Sequence, residues 1–214
     1  MNNVLSLPAT GGETRVVRVS NAVAVPRDFA KQIDGGPKII VMAGELGKRK
    51  GADILIAAWE KVAPEMPGWR LQMVGPKGGD VHDWPEIDGL DYCPPEPRQQ
   101  LIERLQHAQF AILPTRNEAL PMFIIEAMAN GCPVISTPVG QISDLVSDQT
   151  GVLVPVGDIE ATAHAIWELA SNEQLRKRLS RNARNLIAHR YSEDAIKPIL
   201  EDEWIRLANR KAAV

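Results

Sequence analysis

Short apolar runs alternate with longer amphipathic segments along most of this chain. Each run ends at a glycine, a proline or a polar turn, a pattern typical of buried strands. Between the runs, apolar residues recur at helical spacing, as at Ile54, Leu55, Ala58 and Trp59. The predicted strands are 38–44, 69–75, 89–93, 109–114, 132–137 and 151–156, and the predicted helices are 52–63, 97–107, 121–131, 161–170, 173–190 and 192–210.

Residues with helix-capping chemistry set several of these boundaries. Asp158 can accept a hydrogen bond from the first turn of the helix that follows it. Ser171 and Gln174 have the spacing of a capping box for the next helix. Ser192 can start the last helix, and Pro198 predicts a kink or a restart within it.

Strands that alternate with helices form parallel sheets that are covered on both faces. The predicted fold class is therefore α/β, a Rossmann-like parallel sheet with helices on both faces. Ligands bind such sheets at the carboxyl ends of the strands. The segments that follow strands are thus the candidate site, and they read ELGKRKG, PKGGD, PTRNEALP and TPVGQIS.

Two glutamates, Glu118 and Glu126, flank the start of the helix after the fourth strand. A carboxylate at Glu126, inside an apolar helical run, is costly unless it binds something. The free amides around 119–122, at the positive end of the helix dipole, suit a phosphate. Carboxylates on both sides of a phosphate match the sugar, diphosphate and ribose of a nucleotide sugar. The alternative is that Glu118 caps the helix and Glu126 pairs with a nearby arginine or amide.

A basic turn follows the first strand. Lys48, Arg49 and Lys50 precede Gly51 at the start of a helix, a second layout that suits a phosphate. The segment lacks the GxxxxGK[ST] pattern of a P-loop, and the chain has no GxGxxG. A solvated surface turn is the alternative reading of these charges.

Composition narrows the class of protein. The chain has 214 residues, which suggests one large domain or one domain with appendages. Its formal net charge of −3 argues against a protein that coats nucleic acid. The two cysteines do not form a disulfide scaffold. No apolar run approaches the roughly 18 residues of a membrane-spanning helix, and the start lacks a signal peptide. These features predict a cytoplasmic protein.

The motifs together resemble one family. Residues 14–210 are similar to the C-terminal, donor-binding half of GT-B glycosyltransferases, specifically the retaining group called family 4, the glycosyl transferases of group 1. The family's pattern of glycine, basic residue, leucine and then Lys-Gly corresponds to 44–51, and its E-x7-E signature corresponds to Glu118 and Glu126. The stretch EAMANGCPVISTPVGQISDLV resembles the family's EAMA segment and the glycine loop after it.

The resemblance implies roles for individual residues. Glu118 would contact hydroxyls of the transferred sugar near the reacting carbon, Glu126 would hold the ribose hydroxyls, and Lys50 would contact the diphosphate and stabilise the leaving group. Further donor-binding positions would be Gly44, Arg49, Arg116, Leu120, Pro121 and Met122. The donor would be a UDP- or GDP-sugar, transfer of the hexosyl group would retain configuration, and neither a metal ion nor another cofactor is expected.

Two positions depart from the family pattern. Glu45 stands where the family usually has arginine, and a carboxylate cannot neutralise a diphosphate. Arg49 or Arg116 would have to replace that charge, or Glu45 would have to face away. The glycine loop reads Val139-Gly140-Gln141, where the family commonly has two glycines.

The resemblance also divides the chain. Residues 1–36 would be the last strand of an N-terminal domain and a linker, 37–191 the donor-binding domain, and 192–214 a helix that crosses back to the N-terminal domain. That helix carries an apolar stripe of Ile196, Leu200, Trp204 and Leu207. The N-terminal GT-B domain, or a partner chain in its place, would bind the acceptor.

The sequence is also compatible with two other functions. The chain could be a non-catalytic module that binds a nucleotide sugar or a protein, or an epimerase of related architecture. Bacterial members of the family often build surface polysaccharides at the inner face of the membrane, which implies peripheral membrane association of the full enzyme. Asp80, His82 and Asp83 are interpreted as a solvated loop rather than a metal site, because no second ligand cluster is visible.

Overall fold

The computed structural model describes residues 19–26 and 38–212. Its strands are β1 Ile39–Ala43, β2 Arg70–Val74, β3 Leu90–Cys93, β4 Phe110–Leu113, β5 Val134–Ser136 and β6 Gly151–Leu153. Its helices are α1 Ala52–Val62, α2 Arg98–His107, α3 Met122–Ala129, α4 Ile159–Ser171, α5 Glu173–Arg190 and α6 Glu193–Ala212. Short 3-10 turns occur at Lys48–Lys50, Ala63–Glu65 and Ile142–Asp144.

The strands form one parallel sheet in the order β3-β2-β1-β4-β5-β6. Ile40 of β1 lies at the centre, paired with Leu71 of β2 on one side and Phe110 of β4 on the other. The chain moves outward from β1 through β2 to β3, and then outward from β4 to β6. The direction therefore reverses between β1 and β4, and a crevice opens at the carboxyl ends of such a strand pair.

Helices cover both faces of the sheet. Helix α1 packs against α4, while α3 packs against α2 and α5. Trp59 of α1 is fully buried and donates its indole N–H to the Asp88 carbonyl oxygen at 3.1 Å, so this large side chain is buried without an unsatisfied donor. Strand β4 is buried along its whole length, as its continuous apolar sequence predicts.

The structure confirms the α/β fold class and the predicted strands and helices, with small shifts of their ends. Asp158 caps α4 through a 2.9 Å hydrogen bond from the Ala161 amide, and Ser192 accepts at 3.1 Å from the Ala195 amide. Pro97 lies just before α2 rather than inside it. Helix α6 continues through Pro198.

The predicted capping box at Ser171 is wrong. Ser171 belongs to the end of α4, where its hydroxyl donates to the Trp167 carbonyl at 2.8 Å. The N-cap of α5 is Asn172, whose side-chain oxygen accepts from the Leu175 amide at 2.9 Å. Because α4 extends one residue further toward α5 than the sequence suggested, the capping position moved by one residue.

Asn172→Ala is expected to destabilise the fold by about 1 kcal/mol, since it removes the side-chain acceptor at the N-cap. Ser171→Ala is the matched control and should change stability by less than about 0.5 kcal/mol. Urea unfolding of the three proteins measures both values. Equal losses would contradict the assignment of the cap to Asn172.

The described part of the N-terminal region docks beside the last helix. Val23 is buried and donates its amide to the Tyr191 carbonyl at 2.9 Å. Part of the predicted N-terminal strand and linker within residues 1–36 lies outside the described residues, and the described residues 19–26 form only an isolated bridge between Val23 and Ser192 rather than a strand. Within α6, Ile196 is buried, whereas Leu200 and Trp204 are exposed. Among the described residues, no helix combines the length and apolar character that crossing a bilayer requires.

Candidate functional site

Two loops meet at the point where the strand order reverses. The 3-10 turn after β1 is held against the segment after β4 by the Arg49 carbonyl, which accepts from the Arg116 amide at 2.8 Å and from the Thr115 hydroxyl at 2.9 Å. Gly51 permits this approach, because a Cβ at its φ of +78° would lie 2.0 Å from the Pro114 carbonyl oxygen. The basic turn and the E-x7-E segment are thus one structural unit.

This unit places two cations on one carboxylate. The Lys50 ammonium contacts Glu118 Oε1, and the Arg49 guanidinium lies 3.0 Å from the same oxygen. The side chains of Lys50 and Glu118 are 15 % and 11 % exposed, so the pair is largely shielded from water. Lys50, Arg49 and Glu118 together carry one more positive than negative charge. They place that charge at the carboxyl edge of the sheet, where Glu45 lies 3.9 Å from Arg49 and partly offsets it.

The start of α3 adds hydrogen-bond donors to this edge. Pro121 occupies the N-cap and supplies no side-chain acceptor, and the first turn contains no acidic residue. The amides of Met122 and Phe123 are the first donors of the helix and have no intrahelical acceptor. Leu120, Pro121 and Met122 therefore line the positive end of a helix dipole, as the sequence predicted.

The glycine loop, Val139 to Gln141, packs against the backbone of Glu118 and Ala119. Gly140, with a φ of +57°, lies so close that a Cβ there would be 2.0 Å from the Glu118 carbonyl oxygen. The adjacent Gln141 amide donates to the Ala119 carbonyl at 2.9 Å. A single glycine at this point is sufficient for the close packing of the two loops.

Glu126 lies four residues into α3, about 6 Å along the helix axis from its start. Its side chain is 9 % exposed. Arg98, the first residue of α2, donates from Nε to Glu126 Oε1 at 2.6 Å. The pairing with an arginine that the sequence left open as an alternative is therefore present, and the arginine comes from a different helix.

A model of the family described as glycosyl transferases group 1 matches residues 26–186 of the chain. The chain belongs to this family. A D-inositol 3-phosphate glycosyltransferase of Saccharomonospora viridis is 31 % identical over 179 residues, which cover 76 % of this chain and 40 % of that protein. An exopolysaccharide phosphotransferase of Streptomyces coelicolor is 29 % identical over 211 residues, covering 92 % of this chain and 21 % of that protein. The chain therefore spans less than half the length of both relatives.

Solved structures show the same fold. Sucrose-phosphate synthase of Thermosynechococcus elongatus superposes with a TM-score of 0.70 at 24 % identity, covering 84 % of this chain and 47 % of that one. The Anabaena protein HepE, in complex with UDP and glucose, superposes with a TM-score of 0.67 at 17 % identity, covering 79 % and 48 %. The sheet and its helices thus match one Rossmann-like half of GT-B glycosyltransferases.

The resemblance places Glu45 where the family usually has arginine, and the structure shows how the charges are arranged around it. Glu45 is solvent-exposed, and its carboxylate lies 3.9 Å from Arg49 Nη2, whereas Arg49 Nη1 contacts Glu118. Arg116 is bound elsewhere: it forms two hydrogen bonds with the Asp53 carboxylate, at 2.7 and 2.8 Å. Arg49 is the arginine that lies beside Glu118.

The Asp53 carboxylate binds the Arg116 guanidinium and so keeps its positive charge within the basic loop. The hydrogen bonds from the guanidinium to this carboxylate raise the pKa of Arg116 above its ordinary value. Arg116 also donates to the Lys48 carbonyl oxygen and so braces the 3-10 turn. The structure thus gives Arg116 contacts that hold the loop together. Gly44 directly follows β1, with a φ of +130°, at the edge where the site lies.

Sequence reasoning missed two of these residues, Arg98 and Asp53. An arginine in the first turn of a helix is unfavourable for the helix dipole, and this was the one available signal for Arg98. Asp80, which the sequence predicts to lie in a solvated loop, accepts from the Lys48 amide at 3.1 and 3.2 Å. Within the described parts of the chain, no cluster of His, Cys, Asp and Glu could hold a metal ion.

Proposed function

We propose that this chain is the donor-binding half of a glycosyltransferase that moves a hexosyl group from a UDP- or GDP-sugar to an acceptor with retention. One observation carries the proposal: Glu118, held by Lys50 and Arg49, lies beside the uncapped start of α3, and Glu126 is buried one turn further in. Positive charge and free amides between two carboxylates suit a diphosphate that joins a sugar to a ribose.

Each group then has a task in the transfer. The Glu118 carboxylate accepts hydrogen bonds from hydroxyls of the sugar, and Glu126 accepts from the ribose. Lys50, Arg49 and the backbone amides of Leu120 and Met122 surround the diphosphate. As the bond between the anomeric carbon and the phosphate oxygen breaks, negative charge grows on the leaving diphosphate. Cations fixed at that position stabilise the charge without a metal ion.

The reaction requires a second domain to bind the acceptor. The chain spans less than half of the relatives described above. On α6, Leu200, Trp204 and Ile205 are 41 %, 71 % and 58 % exposed. Exposed aromatic and aliphatic side chains on one helix support a contact with an N-terminal GT-B domain or a partner chain. The name of the Streptomyces relative supports a role in polysaccharide synthesis.

Glu45 favours a second candidate, a non-catalytic module that binds a nucleotide sugar. A carboxylate at the mouth of a diphosphate site weakens the attraction for the donor. Incubation with radiolabelled UDP-hexose and GDP-hexose, each with and without a separately produced N-terminal domain of a relative, distinguishes the two. Labelled transfer or hydrolysis product supports the enzyme, and intact donor under both conditions supports the module.

Thermal unfolding of the 214-residue chain with UDP, GDP, ADP and their hexose conjugates tests donor binding. A ligand at about 100 times its Kd stabilises by roughly 2.7 kcal/mol, or roughly 5–11 °C in Tm for a domain of this size. We expect such a shift with the uracil or the guanine nucleotide. A cooperative transition that none of these ligands moves would contradict the proposal.

Glu126→Gln is expected to weaken binding of the same nucleotide by at least tenfold, because the amide loses one acceptor oxygen and the negative charge. Isothermal titration calorimetry with UDP or GDP measures the change. Glu103→Gln on the exposed face of α2 is the matched control and should leave the Kd unchanged. If Glu126→Gln binds the nucleotide as tightly as the control does, Glu126 does not contact the ligand.

A further inference from the structure

Arg98 occupies an unusual position for an arginine. It is the first residue of α2, where the helix dipole disfavours a positive charge, and its side chain is 63 % exposed. The pair is exposed only on the arginine side, because the Glu126 side chain is 9 % exposed. Among the described residues, Glu126 is the only hydrogen-bond partner of this guanidinium. The contact with Glu126, whose charge it compensates, therefore accounts for an arginine at this point.

The backbone that carries Arg98 is fixed. Glu96, two residues earlier, receives hydrogen bonds from Arg104 at 3.0 and 2.7 Å, and Arg104 also donates to Gln72 of β2 at 2.6 Å. These bonds tie the loop after β3 to both α2 and the sheet. The start of α2 is thus held in place beside Glu126, although the two residues are 28 positions apart.

The contact leaves most of the Glu126 carboxylate available. A carboxylate has about four lone-pair positions, and Arg98 occupies one of them on Oε1. Two vicinal hydroxyls can still donate to the other positions. The guanidinium also offsets the charge of Glu126, which would otherwise face the negative diphosphate roughly one helical turn away.

We propose that Arg98 is a positioning residue for the ribose of a bound nucleoside diphosphate, and this inference rests on the proposed function. Arg98 orients the Glu126 carboxylate toward the two ribose hydroxyls and neutralises it against the diphosphate. Its effect on binding should consequently depend on the presence of both hydroxyls.

Calorimetric titration with UDP and 2′-deoxy-UDP, and with GDP and 2′-deoxy-GDP, tests this role. Arg98→Met keeps the aliphatic stem and removes the guanidinium. We expect it to weaken ribonucleotide binding about tenfold and to bring the ratio of the ribo and deoxy affinities close to one. Arg98→Lys keeps the charge and should recover part of the affinity.

Arg70→Met is the matched control. Arg70 is also an exposed arginine paired with a carboxylate, that of Asp91, but it begins β2 at the opposite edge of the sheet. The Arg70→Met variant should leave both the Kd and the ratio of ribonucleotide to deoxyribonucleotide affinity unchanged.

The outcomes separate the two proposals. If the unchanged chain binds neither UDP nor GDP, the proposed function and the role of Arg98 both fail. If the unchanged chain binds a ribonucleotide but Arg98→Met keeps its Kd, or binds it more tightly, only the role of Arg98 is overturned. An equal loss for ribo and deoxy nucleotides overturns it too, because a general structural effect does not distinguish the ribose hydroxyls.

Discussion

Lys50→Met is expected to weaken binding of UDP or GDP by roughly a hundredfold, about 2.7 kcal/mol, while the affinity for the free nucleoside stays nearly unchanged. Lys50 is the best shielded cation at the site, with 15 % of its side chain exposed. A charge-assisted hydrogen bond to a phosphate is strong where water is scarce. Its loss also leaves Glu118 with Arg49 as its remaining ion-pair partner among the described residues.

Comparison of diphosphate with nucleoside separates a direct contact from damage to the fold. Titration of the variant with UDP and with uridine measures its affinity for the diphosphate and for the nucleoside. Lys61→Met carries the same change of charge at a surface pair with Glu160, and it should bind UDP as the unchanged chain does. Parallel losses for UDP and uridine would argue that Lys50 acts through the loop conformation.

Much of the fold could be predicted because the strands are short and mostly apolar, although β2 and β3 include polar residues such as Gln72 and Asp91. A central parallel strand such as β4 is buried on both faces, so its composition alone distinguishes it from an amphipathic helix. The ends of the elements were harder to predict. Ser171 and Asn172 are both good N-cap residues, and only the actual length of α4 decides which of them starts α5.

The candidate site could be predicted only in part, because its decisive contacts join distant positions. Sequence spacing suggested Lys50 and Glu118 as separate site residues. It did not show that their side chains are in contact, although they lie 68 positions apart in the chain. An arginine partner for Glu126 was foreseen as an alternative, whereas its origin in Arg98 depends on how α2 and α3 pack. Pairings set by tertiary packing leave almost no local signal in the chain.

Gly75→Ala is expected to destabilise the protein by about 3 kcal/mol or more, which corresponds to a loss of roughly 6–12 °C in Tm. Gly75 directly follows β2 with a φ of +142°, and a Cβ there would lie 1.8 Å from the Gly44 carbonyl oxygen. Backbone cannot yield as a flexible side chain does, so β1 and β2 would have to separate at their carboxyl ends. Thermal and urea unfolding measure the loss.

Gly68→Ala provides the control for backbone strain alone. Gly68 has a φ of +80°, but nothing lies within 4 Å of its added Cβ, so about 1 kcal/mol is expected. The difference between the two variants therefore measures the collision with Gly44. Because Gly44 belongs to the edge where Lys50 and Glu118 meet, separation of the strands should also weaken nucleotide binding in Gly75→Ala but not in Gly68→Ala. Equal destabilisation of the two variants would show that the approach of β2 to β1 does not constrain this edge.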